Sequence, residues 1–151
     1  MSCPYVEVSM VETIIHHNQI LAIIIFKDFS MGEGVHFFTP DEFSQQLGYI
    51  HHPAGKIIQP HLHKIQMRQI SYTQEVLVIK RGKIRVDFFD DNRQFIKSRT
   101  LTSGDLILLA SGGHGFETLE EVEMIEIKQG PYSGECDKER FDCSETMGDL
   151  Q

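Results

Sequence analysis

The stretch from Glu75 to Phe89 constrains the fold of this chain more than any other. Glu75-Val-Leu-Val-Ile79 is apolar and rich in β-branched residues, Lys80-Arg-Gly-Lys83 is a tight turn, and Ile84-Arg-Val-Asp-Phe-Phe89 returns. That is the pattern of an antiparallel hairpin with Gly82 in its turn. Similar segments recur along the chain. Residues 14–15 and 20–26 read as a hairpin turning near Asn18, and further strands are expected at 35–38, 47–52, 94–101, 106–109 and 121–127. A single helix start stands out, with Thr39 as N-cap, Pro40 in the first position and Glu42 closing a capping box, and it predicts a short helix to about Gln46. Short strands separated by turns predict an all-β domain with one short helix. The expected divisions are an N-terminal arm at 1–12, a β domain at 13–132 and a polar, acidic tail at 133–151 that could clasp a neighbour through Phe141.

At 151 residues and 40% hydrophobic content the chain suits one domain with a buried core. Fourteen Lys and Arg stand against 22 Asp and Glu, a formal charge of -8, and no basic run is interleaved with aromatics. Nucleic acid and anionic membranes are therefore not expected partners. Three cysteines without a Cys-x-x-Cys spacing point to a reducing cytoplasm. The longest aliphatic run, at 20–26, is too short to span a bilayer, and the first residues lack the pattern of a secretion signal.

Chemistry concentrates between Gly55 and Gly82. His61 and His63 stand two apart, so on a strand at 56–63 both imidazoles project from one face and can converge on one ion. Glu75 shares a face with Leu77 and Ile79, and a carboxylate among aliphatic side chains calls for a compensating cation. Gln59 lies on the face of the two histidines and is a candidate substrate contact. Gln69 is an alternative ligand or pocket residue, and His52 a candidate for the pocket mouth. The adjacent His16 and His17 read as solvated turn residues.

Gly55, five residues, His61-x-His63, then Glu75, six residues and Gly82 resembles the first motif of the cupin superfamily. The gap from His63 to Glu75 is eleven residues where that motif has three or four. The second motif is similar to 104–114, where Gly104 and Gly112 fit, Ala110 takes the proline position and His114 arrives one residue early. The resemblance covers roughly residues 47–128. It implies a double-stranded β-helix, the cupin jelly-roll barrel, with His61, His63, Glu75 and His114 holding a divalent transition metal. Three imidazoles and a carboxylate on an octahedral ion leave two open positions, which favours iron or manganese over nickel or zinc. Phe116 would wall the pocket. The implied function is a metal-dependent enzyme, of oxygenase or isomerase type, acting on a small polar metabolite such as a sugar derivative or oxo-acid. The alternative is a non-catalytic cupin module that binds or senses such a small molecule.

The segment 64–74 carries Ile65, Met67, Ile70 and Tyr72, too apolar for a freely solvated loop, so it is expected to cover the pocket or pack on another subunit. Strands 20–26 and 76–79 are apolar on both sides, which predicts a homodimer.

Overall fold

Turn chemistry sets the strand order. The structure, a computed structural model, describes residues 10–142. It contains β1 (Val11–His16), β2 (Gln19–Ile25), β3 (Gly34–Phe37), β4 (Gly48–His51), β5 (Glu75–Arg81) and β6 (Lys83–Phe89). These are followed by β7 (Phe95–Thr102), β8 (Leu106–Leu109), β9 (Gly113–Thr118), β10 (Glu123–Lys128) and a 3-10 turn at Gly134–Asp137. His17 and Asn18, between β1 and β2, both have positive φ, at 46° and 63°. That is the handedness a two-residue hairpin turn needs to match strand twist. Gly82, at φ 87°, links β5 to β6, and a Cβ there would lie 1.9 Å from the carbonyl oxygen of Glu121, so both conformation and space require glycine.

The strands form three sheets, ordered β1-β2-β8-β5-β10, β3-β4 and β7-β6-β9. The first and third pack face to face. Ile14, Leu21, Ala22, Ile24, Leu77, Ile79, Ile107 and Leu109 from one meet Ile84, Val86, Phe88 and Leu101 from the other, all of them buried. Burial of each such side chain contributes about 1.5–3 kcal/mol. The opposite face of the five-stranded sheet carries Ile23, Val76 and Leu108, covered by Phe38, Phe43 and Leu47 around the β3–β4 hairpin. The second apolar face of 20–26 and 76–79 is thus covered in large part by the chain itself. Asp105 locks the turn before β8 by accepting from the backbone N–H of Lys27 (2.8 Å) and of Thr102 (2.7 Å).

The hairpin expected across Gly82 does not pair: β5 lies in the five-stranded sheet and β6 in the three-stranded one, so this turn passes the chain between sheets. Two further expectations are overturned. No cupin jelly-roll barrel forms: the three sheets remain open, and β1, β10, β7 and β9 end them as edges. A barrel has no edges, so closure would need further strands. The strand expected at 56–63 is absent. Residues 53–73 are all exposed, and among the described residues no backbone–backbone hydrogen bond involves 57–73. Pro60 removes one donor from that stretch. The resemblance to cupins therefore does not extend to the fold.

The helix expected from Thr39 to about Gln46 is also absent, and the short helical turn lies instead at Gly134–Asp137. After one turn, with Phe43 N–H bonding to Pro40 O, the Gln46 side-chain amide takes the carbonyls of Pro40 (3.0 Å), Asp41 (3.3 Å) and Phe43 (3.0 Å). Those acceptors are then engaged by a side chain, which stops the backbone from propagating a helix. Thr39 Oγ1 accepts from Leu47 N–H instead of from a helix N-terminus.

The tail returns to its own chain. Phe141 packs edge-on against Phe89, with ring centroids 5.3 Å apart, and Arg93 lies over its ring. Residues 1–9 of the expected N-terminal arm and 143–151 of the tail lie outside the described residues, and with them Cys3 and Cys143. No helix among the described residues is long and apolar enough to cross a membrane, which says nothing about spanning by strands.

Candidate functional site

Register decides which sequence-predicted residues meet. Glu75 pairs with Leu109 across β5–β8, and Glu75, Leu77 and Ile79 face the third sheet. On that sheet His114 pairs with Phe88 and Phe116 with Val86, so both rings share the face of the buried Phe88 and Val86. Glu75 and His114 consequently meet between the two sheets. His114 Nε2 lies 3.2 Å from Glu75 Oε2, and Lys138, from the tail, places Nζ 3.4 Å from Glu75 Oε1.

Glu75 is buried, and burial alone would push its carboxyl upward. The hydrogen bond from His114 outweighs this, and the charges of His114 and Lys138 add to it. Together they hold the group down at about 2, from an ordinary value of 4.5. The carboxylate is a stable anion whose compensation comes from an imidazole and an ammonium group.

His61 and His63 are elsewhere. Both lie on the exposed 53–73 strap, with ring centroids 5.3 Å apart, and His61 Nδ1 is 3.0 Å from the carbonyl of Gln59 on the same strap. The expected ligands therefore fall into two pairs. Among the described residues no group of three or more His, Cys, Asp or Glu side chains is gathered to hold a metal ion. The metal-dependent cupin function, enzymatic or merely binding, loses both its barrel and its assembled site. The pocket candidates are likewise dispersed. Phe116 is beside His114 with ring centroids 5.4 Å apart, Gln59 is on the strap, and His52 precedes it.

Gln69 does line a cavity, on a different set of residues. A space of about 490 Å³ is bounded by the β1–β2 turn, the 40–44 segment, the base of the strap and the start of β9's approach at Ala110 and Ser111. Its polar lining is nearly all amide and hydroxyl: Asn18, Gln19, Gln69, Gln74, Ser44, Ser71, Tyr72 and Ser111. Glu42 is the single charged residue of that lining.

Gln74, missed in the sequence, organises this wall. Its Oε1 accepts from Ser44 Oγ (3.2 Å) and Gln45 N–H (3.1 Å), while its backbone N–H donates to Gln129 Oε1 (2.7 Å) and its carbonyl accepts from Gln45 Nε2 (2.9 Å). With Oε1 committed, the amide orientation is set, and Nε2 has no protein acceptor among the described residues. Gln74 is one of the residues that line the cavity, and its amide is held in place there. Sequence offered no signal for it beyond position, since its partners lie at 44–45 and 129.

The sequence matches no protein-family profile, no curated protein and no solved structure. Its class is set by its own architecture: an all-β protein of three open sheets, with a cross-sheet carboxylate–imidazole pair and a separate cavity lined by amides and hydroxyls.

Proposed function

We propose that the protein binds a small, uncharged polar molecule in the cavity bordered by Gln74. The observation that supports this most is the preset Gln74 amide in the lining of a cavity of about 490 Å³, within the range of small-molecule sites. Amides and hydroxyls supply both donors and acceptors to a ligand bearing the same groups. Phe43, Ile70 and the Tyr72 ring offer apolar contact for a flat or ring-shaped body. Glu42 in the lining and the overall charge of -8 disfavour anions. A cytoplasmic setting suits the reading, with Cys136 exposed as a free thiol.

The test is a ligand-observed NMR titration with uridine, nicotinamide and myo-inositol, against citrate as an anionic control. Ser71 is exposed at the cavity wall, so Ser71→Trp fills the space without touching the core. At least one neutral probe should bind, and Ser71→Trp should weaken it at least tenfold. Binding only of citrate, no binding of any probe, or binding indifferent to Ser71→Trp would each sink the reading.

A further inference from the structure

The strap at 53–73 presents a surface that the monomer does not use. Ile65 and Met67 are each 94% exposed, and Leu62 is 95% exposed. Water-facing side chains of this size in one continuous stretch are costly to leave uncovered and mark an interaction surface. From 64 to 68 the residues alternate as Lys, Ile, Gln, Met, Arg, which in an extended chain puts Ile65 and Met67 on one face and Lys64, Gln66 and Arg68 on the other. The segment has the pattern of a two-faced strand with no partner strand.

A matching edge exists at β10. It is the last strand of the five-stranded sheet, so its outer backbone groups are unpaired. Ile125 and Ile127 pair with Val78 and Val76 and stand on the outer face, 49% and 53% exposed. Glu126 points to the other face, opposite Leu77. Such an edge is a template for a further strand.

Charge complements shape. The strap carries Lys56, Lys64 and Arg68, while all 22 Asp and Glu of the chain lie outside it. On β10, Glu123 is already paired with Arg81, whereas Glu126 has no ion-pair partner among the described residues. Lys64 and Arg68 have none either.

We propose that the strap of one copy of this chain adds as a strand to the outer edge of β10 in a second copy, giving a reciprocal, strap-exchanged homodimer. Ile65 and Met67 then lie on the face of Ile125 and Ile127, and Lys64 and Arg68 on the face of Glu126. A strap of this length can reach roughly 70 Å when extended, several times the roughly 20 Å of a six-residue strand. The occupant is a second copy because the strap and β10 complement each other in pattern and sign, while the single chain leaves both uncovered. Strap residues 69–72 also line the cavity, so seating the strap fixes one wall of it.

The test uses the full chain with its three cysteines replaced by serine. One preparation carries Ile65→Cys or Met67→Cys, and a second, with a tag that changes its mass, carries Ile125→Cys. Mixed and oxidised, they should form a covalent heterodimer that a reductant splits. Unmodified protein should sediment as a dimer, and the double variant Ile65→Lys/Met67→Lys should weaken association at least tenfold while still unfolding cooperatively, at a Tm equal to that of the parent diluted to monomer. Both side chains are exposed in the single chain, so the variant should fold. A monomeric mass at 50 µM would overturn the proposal. So would a cross-link that forms only when both cysteines are on one chain, because the strap then closes on its own β10. Ser71→Trp should leave the sedimenting mass unchanged, which separates failure of this proposal from failure of the binding reading.

Discussion

The two packed sheets are tied together by two cross-sheet ion pairs built from different parts. Between β1 and β7, Arg99 grips Glu12 with two nitrogens: Nε donates to both carboxylate oxygens, at 2.8 and 3.1 Å, and Nη2 donates to one at 2.6 Å. Each partner stabilises the charge of the other, so the Glu12 carboxyl is lowered and the Arg99 guanidinium raised. Between β5 and β9, Glu75 is more deeply buried, and its partners are an imidazole and a lysine from the tail. The first pair is permanently ionic across the range in which proteins fold. The second is assembled from an imidazole on β9 and a lysine on a segment outside the sheets. Both sides end in edge strands, β1 and β7 at the first pair and β10 and β9 at the second, so what sets the second side apart is the strap that enters it at Glu75.

The largest effect comes from removing what both ion pairs enclose. Phe88 is fully buried between the sheets, and Phe88→Ala should cost about 3–5 kcal/mol in urea unfolding, with both ion pairs breaking in a single transition. Two separated transitions would show that the two sides are independent units.

Next comes the comparison itself. Glu75→Gln keeps the shape of the side chain but removes the buried anion facing His114 and Lys138, and should cost about 2–3 kcal/mol. Arg99→Met, at a pair where both side chains remain partly exposed, should cost about 1 kcal/mol. If Arg99→Met is the more damaging, burial is not what ranks the two pairs.

Acid sharpens the difference. Because the folded Glu75 carboxyl sits at about 2 and the unfolded one at 4.5, its contribution is complete above pH 4.5 and is lost as pH falls toward 2. The loss comes to about 3 kcal/mol at most. Urea midpoints measured from pH 5 to pH 2 should fall steeply in the parent protein and in Arg99→Met, and less steeply in Glu75→Gln. Equal slopes in all three would remove Glu75 as the acid-sensitive fastening.

Much of this side of the molecule could be read in the chain. The hairpin around Asn18 follows from its turn residues and flanking β-branched runs, and the burial of Glu75 follows from its parity with Leu77 and Ile79, whereas the turn at Gly82 has hairpin chemistry but carries the chain from one sheet to the other. A buried carboxylate demanded a cation, but local pattern could not say which. Lys138, far along the chain, and His114 supply the compensation without His61 and His63. Barrel closure was illegible for a related reason. The strap has the alternation of a strand, yet whether a strand pairs depends on an edge that no local sequence contains. The Thr39-Pro40-Glu42 signal failed because Gln46, a few residues on, occupies the carbonyls with its own amide.

The smallest effect decides whether the tail belongs to this ion pair. Lys138 follows the 3-10 turn, and its neighbours are anchored too: Asp137 accepts from Thr73 Oγ1 at 2.6 Å, Glu139 pairs with Arg93, and Phe141 packs on Phe89. With the tail held at several points, losing one ammonium group should not release it. Lys138 is about half exposed, at 49%, so water already screens its charge, and Lys138→Met should cost no more than about 0.5 kcal/mol at neutral pH. Its effect on acid unfolding should also be slight, because the His114 hydrogen bond is the largest cause of the low Glu75 value. A loss as large as that of Glu75→Gln would reverse this ordering, making the tail lysine rather than the imidazole the main partner of the buried carboxylate.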